Sequence, residues 1–147
     1  PTTALDVTIQ AQIMELMKQL QTEFHKSIIL ITHNMGLVAE MADEICVMYM
    51  GRIVEYGPLR AIFEQPSHPY TQALLESVPV PGMHEGTELV TIPGSTPDPA
   101  ELGPGCEFAD RCKHCTDRCR EKPIHAYEIS EGHWVRCLLF DHFKEVD

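Results

Sequence analysis

Basic residues are scarce: 11 Lys and Arg stand against 22 Asp and Glu in a chain of 147 residues, for a formal net charge of −11. A surface of that sign repels a phosphate backbone, because non-specific nucleic-acid binding rests on Lys and Arg displacing counterions. Nucleic acid is thereby set aside as a partner. Long apolar runs are missing as well. The most extended, such as Ile28-Ile29-Leu30-Ile31, fall far short of the roughly 18–20 residues needed to cross a bilayer. No basic segment followed by an apolar run opens the chain, so neither a membrane span nor a signal peptide is expected. Aromatic residues make up only 7%, with one Trp, and there is no internal repeat or low-complexity tract. Position 1 is Pro rather than Met, inside what reads as an ordered segment, which gives the expectation that the chain is a piece of a longer one. What is present is apolar content of 44%, enough for the core of one ordinary domain.

Between Val7 and Phe24 the apolar residues Ile9, Ile13, Leu16, Met17, Leu20 and Phe24 recur at three- and four-residue steps, the pattern of an amphipathic helix. Asp6 or Thr8 is placed to cap its start. Ser27 to Thr32 is a nearly unbroken β-branched and Leu run, which predicts a strand covered on both faces and, after a helix, a parallel sheet. A short helix should follow Asn34-Met35-Gly36 to about Ala42, then a hairpin of Ile45 to Met50 and Arg52 to Tyr56 around Gly51. Pro58 and Pro69 each suit the first turn of a further helix. Residues 79–105 hold six Pro and five Gly, too many for regular structure, so a surface connector is expected there. The predicted organisation is α/β over 1–78, a connector over 79–105 and an irregular Cys-rich extension over 106–147.

Two groups of residues are placed to carry chemistry. His33 falls at the carboxyl end of the predicted parallel strand, where open α/β sheets gather their ligands; capping the next helix is the alternative role. The second group is the cysteines. Five residues separate Cys106 from Cys112, six separate Cys112 from Cys119, and seventeen separate Cys119 from Cys137, so four thiolates converge only if the tail folds back on itself. Such a knot suits an iron–sulfur cluster or zinc. Cys115 adds a Cys112-x-x-Cys115 pair, so zinc held by Cys112, Cys115, Cys119 and a fourth Cys or His114 competes with the cluster; free thiols or disulfides are the third reading. Cys46, in a strand pattern, reads as a small core residue. Residues 111–122 carry five basic groups against two acidic ones, an inversion in so acidic a chain that calls for a nearby anion.

Several blocks occur in an order that resembles a known family. Pro1-Thr2-Thr3-Ala4-Leu5-Asp6, then Ile29-Leu30-Ile31-Thr32-His33-Asn34-Met35-Gly36, then Ala42-Asp43-Glu44-Ile45 and Tyr49-Met50-Gly51-Arg52-Ile53-Val54-Glu55-Tyr56-Gly57-Pro58, are similar to the final third of an ABC-transporter nucleotide-binding domain. Pro66-Ser67-His68-Pro69-Tyr70-Thr71, Ile92-Pro93-Gly94 and Gly105-Cys106-Glu107-Phe108-Ala109-Asp110-Arg111-Cys112 narrow the resemblance to ATP-binding subunits of oligopeptide and dipeptide importers, with nickel importers as relatives.

The resemblance implies that Asp6 lies in a loop facing the opposing subunit, that His33 senses the γ-phosphate of ATP, and that ATP and Mg²⁺ are held by the parent protein. It also implies that Cys106, Cys112, Cys119 and Cys137 match a [4Fe–4S] ligand set, with Cys115 as the departure from the pattern. Implied partners are a second ATP-binding subunit, transmembrane permease subunits and, indirectly, a substrate-binding protein, at the cytoplasmic face of the plasma membrane. Within these residues there is no Gly-rich loop ending in Lys-Ser/Thr and no Leu-Ser-Gly-Gly-Gln motif, so the piece alone is expected to be inactive. A structural or redox module built on the Cys tail is the rival reading. Unpaired strand edges in such a piece favour self-association.

Overall fold

A computed structural model describes residues 7–78 and 91–146. The chain divides into two compact units, Pro1–Ala42 and Asp43–Asp147.

In the first unit the helical periodicity is realised as α1, Val7–Phe24, which ends at His25 with φ 49°, a left-handed position that stops the helix. Asp6 lies outside the described residues. Helix α2, Met35–Met41, begins where Asn34 Oδ1 accepts the N–H groups of Gly36 and Leu37 at 3.0 and 3.3 Å. Lys18 on α1 pairs with Glu40 on α2 at 3.0 Å. The predicted strand over Ser27–Thr32 does not form: residues 26–32 are irregular, and Ile29 and Ile31 are 91% and 94% exposed. β-branched content fits a residue for a pleated surface, but a strand exists only by hydrogen-bonding to a neighbour. Among the described residues, none pairs with this run.

The second unit is built on a five-stranded sheet in the order β1-β2-β4-β3-β5, with β1 Glu44–Tyr49, β2 Arg52–Pro58, β3 Ala126–Ser130, β4 His133–Val135 and β5 Lys144–Val146. Every pairing is antiparallel, so the expected parallel sheet is corrected. The hairpin β1–β2 stands as predicted. Its two-residue loop puts both Met50 (φ 47°) and Gly51 (φ 78°) in the left-handed region, the twist that tight hairpins require. The expectation of an irregular tail is also corrected, since residues after Cys106 supply three of the five strands.

Alternation across the sheet sorts the side chains. Val47, Glu55, Val135 and Tyr127 share one rung, and all four are buried. Cys46, Tyr56 and Trp134 share the next rung on the opposite face, which leaves Cys46 exposed rather than in the core as expected. Helices α3 (Leu59–Glu64), α4 (Pro69–Glu76) and α5 (Arg118–Glu121) complete the unit, with Ile62 of α3 fully buried. Phe108, Tyr49 and Tyr70 form an aromatic cluster with ring centroids 4.6–5.4 Å apart, which fastens the segment after Cys106 to the hairpin and to α4. No helix among the described residues is long and apolar enough to cross a membrane.

Candidate functional site

Cys106, Cys112, Cys119 and Cys137 line one cavity of about 120 Å³, joined there by Cys115 and by the ring of His68. The chain returns on itself at Gly105, where a Cβ would stand 2.1 Å from the carbonyl oxygen of Cys119, so only glycine permits the approach. The next residue seals that contact, the Cys106 N–H donating to Cys119 O at 2.7 Å.

The backbone N–H of His114 donates to the sulfur of Cys112 at 3.4 Å, from two residues further along. Such a turn aims an amide dipole at sulfur and favours a thiolate there. Burial works the other way: it is the chief reason the Cys106 thiol is pushed up to about 11 and the Cys137 thiol to about 12, with the other thiolates of the group adding to both. Burial likewise raises Cys112 and Cys115. At neutral pH Cys106 and Cys137 are therefore protonated, and a bound cation is the kind of group that displaces those protons. All six cysteines are free thiols. Among the described residues no three or more His, Cys, Asp or Glu side chains stand in ligand geometry around a metal ion.

The local excess of basic residues is largely met from within the protein. Arg111 donates to the carbonyls of Pro93 and Ile92, at 2.9 and 3.0 Å, and to the Tyr49 hydroxyl. Arg118 pairs with Asp141 and Arg120 with Asp110, both at 2.8 Å. Arg120 also reaches Cys115 Sγ, which sets that sulfur apart from the other four.

Behind the cavity lies a buried polar network that sequence reasoning missed. Glu55, fully buried on β2, accepts the Ser67 and His68 backbone N–H groups at 2.8 and 2.9 Å and contacts His133 Nε2 at 2.8 Å. Gly57 leaves the space that His133 occupies; a Cβ there would lie 2.9 Å from His133 Cδ2. His68 is 1% exposed. Its Nδ1 accepts the Tyr70 N–H at 3.0 Å and caps α4. Burial, with Arg136 adding its charge, pushes the imidazole down to about 4 and keeps it neutral. The one sequence signal for this network was an acid set among apolar residues of a predicted strand, Ile53-Val54-Glu55-Tyr56.

His33 lies in the first unit, exposed, in a bend just before Asn34 and α2. It terminates no strand, because the strand it was to end is not there. His114 borders the cysteine cavity from an exposed position.

Comparison with known proteins gives the site its context. Residues 54–119 match the family model described as oligopeptide/dipeptide transporter, C-terminal region, and that span takes in Glu55, His68 and the first four cavity cysteines. The oligopeptide transport ATP-binding protein AppD of Bacillus subtilis is 48% identical over 141 residues, covering 96% of this chain and 43% of AppD. A protein of Brucella ovis named for peptide import and ATP binding is 47% identical over 143 residues, 94% of this chain and 42% of its own length. One so named from Brucella melitensis is 49% identical over 138 residues, 93% of this chain and 41% of its own. The chain thus spans about two-fifths of the relatives it matches.

Proposed function

We propose that the chain, whose residues 54–119 match the family model of the C-terminal region of oligopeptide/dipeptide transporters, is the C-terminal portion of an ATP-hydrolysing subunit that energises import of oligopeptides or dipeptides. The observation that carries this is identity of 47–49% extending over 93–96% of the chain to relatives named for peptide import or transport and ATP binding.

In the whole subunit, phosphoryl transfer calls for positioning and charge stabilisation more than covalent chemistry. His33 is assigned to the γ-phosphate of ATP and Asp6 to the loop facing the second ATP-binding subunit, with Mg²⁺ held by residues outside this chain. The exposure of His33, just ahead of the Asn34 cap of α2, suits a ring that meets a ligand held elsewhere. Permease subunits in the membrane are the partners, the cytoplasmic face is the location, and substrate choice belongs to other subunits. Disruption of the gene should abolish uptake of labelled di- and oligopeptides and leave free amino-acid uptake intact. Unchanged peptide uptake would overturn the assignment.

The second part of the proposal is a [4Fe–4S] cluster held by Cys106, Cys112, Cys119 and Cys137. What supports it is one cavity shared by these thiols and the His114 N–H aimed at the Cys112 sulfur. Cys115, engaged by Arg120, is the spare thiol and the alternative ligand. A metal–thiolate centre gives this segment folding energy that its modest apolar content does not. Anaerobic loading with iron and sulfide should produce a broad absorption near ~400 nm that bleaches on reduction. A colourless protein that takes up zinc instead would replace the cluster with a zinc staple and leave the transport assignment standing.

A further inference from the structure

The two thiols of the Cys112-Lys113-His114-Cys115 run are joined by a turn rather than set around a centre. The Cys115 N–H donates to the Cys112 carbonyl at 3.1 Å, and the His114 N–H donates to Cys112 Sγ at 3.4 Å, which folds that side chain back over the turn. A turn closed by such a bond keeps its first and fourth Cα atoms within about 7 Å, and disulfides span Cα separations of roughly 4.4–6.8 Å. Both cysteines line the same cavity and are partly exposed, on either side of the exposed Lys113 and His114. Cys115 Sγ also meets the guanidinium of Arg120, a cation that favours thiolate over thiol. The other thiols are placed differently. Burial keeps Cys106 and Cys137 protonated at neutral pH, Cys119 lies within α5 with its sulfur against the Thr116 hydroxyl at 3.5 Å, and Cys46 is no part of the cavity lining.

We propose that Cys112 and Cys115 form a reversible dithiol–disulfide pair that exchanges with low-molecular-weight disulfides of the glutathione type whenever no metal occupies the cavity, with Cys115 as the attacking sulfur. The Cys115 thiolate attacks one sulfur of glutathione disulfide; the S–S bond breaks, a mixed disulfide forms on Cys115, and one glutathione leaves as a thiolate that takes up a proton. Cys112 then gives its proton to solvent and attacks Cys115 Sγ, closing the intramolecular bond and expelling the second glutathione. Two protein thiols are oxidised, and one disulfide is reduced to two thiols. The turn serves the second step by holding Cys112 beside the sulfur it must reach, and Arg120 serves the first while remaining tied to Asp110 at 2.8 Å. The pair depends on neither the transport assignment nor a cluster.

Trypsin reads the pairing directly, because it cleaves after Arg111, Lys113, Arg118 and Arg120 and so leaves Cys112, Cys115 and Cys119 on three different peptides. The 147-residue chain is treated with chelator and reductant, desalted, incubated with mixtures of reduced and oxidised glutathione, and quenched with N-ethylmaleimide before digestion. The expected product is Cys112-Lys113 linked to His114–Arg118, two hydrogens lighter than the reduced pair and separated again by dithiothreitol, with Cys46, Cys106, Cys119 and Cys137 alkylated. Cys115→Ser should abolish the linked species, and Arg120→Met should slow labelling of Cys115 by iodoacetamide several-fold. Thiols that are all alkylated across the whole series, a bond that joins Cys106 or Cys119 instead, or glutathione retained on Cys115 without closure overturns the proposal. The digest of the original protein decides this by itself if a variant fails to fold. Unchanged labelling of Cys115 in a folded Arg120→Met protein overturns the assignment of Cys115 as the attacking sulfur.

Discussion

Glu55 shows how much one residue can hold. Its two carboxylate oxygens receive two backbone N–H groups and contact an imidazole nitrogen, with no exposure to water. Glu55→Gln keeps the shape but turns an amide NH₂ toward donors that need an acceptor. Loss of a buried, charge-assisted acceptor of this kind should cost about 2–4 kcal/mol, read as a lowered urea midpoint with unchanged slope. His68 contributes a pH dependence. Its folded value of about 4 lies below the ordinary 6.5, so across that window the unfolded chain binds a proton that the folded ring refuses. Stability from this group is therefore fully present above pH 6.5 and is lost as pH falls towards 4, by up to roughly 3 kcal/mol. Unfolding of the metal-free protein at a series of pH values should show that slope, and His68→Asn should flatten it. Cys spacing and the resemblance pointed to the residues that line the cavity. The burial of Glu55, His68 and His133 was not legible, because nothing local in the sequence tells which face of a strand an acid will occupy or which polar groups will meet it.

At the scale of elements, the legible features were those whose signal is local. Helix α1 follows from its apolar period, α2 from the Asn34 cap, and the hairpin from a Gly between two β-rich runs. The features that failed depend on partners distant in sequence. Ser27–Thr32 has the composition of a strand without a neighbour to pair with, whereas Ala126–Ser130 and His133–Val135 are short and become strands because β2 offers an edge. The hairpin loop carries one residue at odds with its backbone: Met50 holds φ 47° with a full side chain, next to Gly51, which bears φ 78° at no steric penalty. Met50→Asn should raise stability by about 0.5–1 kcal/mol, since Asn tolerates the left-handed region better. A higher melting temperature in calorimetry is the expected result, and no change or a fall would show that the Met50 side chain makes contacts worth more than its backbone strain.

For the molecule as a whole, order along the chain proved more informative than composition. The resemblance was legible because several matched blocks stand in sequence, yet the partition into two units at Ala42 and Asp43 was not, since no proline, glycine or charge run marks it. The first unit has a consequence for behaviour in solution. Ile9, Leu16, Leu20 and Phe24 of α1 are exposed, as are Ile29 and Ile31 in the segment that follows, so a 42-residue unit shows water several large apolar side chains. Surfaces of that kind are commonly covered by association. Opposing it is the net charge of −11, which makes any two copies repel. Salt screens the repulsion over a Debye length of about 8–10 Å near physiological ionic strength and leaves apolar attraction in place. The 147-residue chain should therefore run increasingly as a dimer or larger species in light scattering as salt is raised from low to moderate concentration. Ile29→Ser combined with Ile31→Ser should return it to a monomer without altering the sheet of the second unit. A wild-type chain that stays monomeric at every salt and protein concentration would mean that these side chains are covered within the molecule itself.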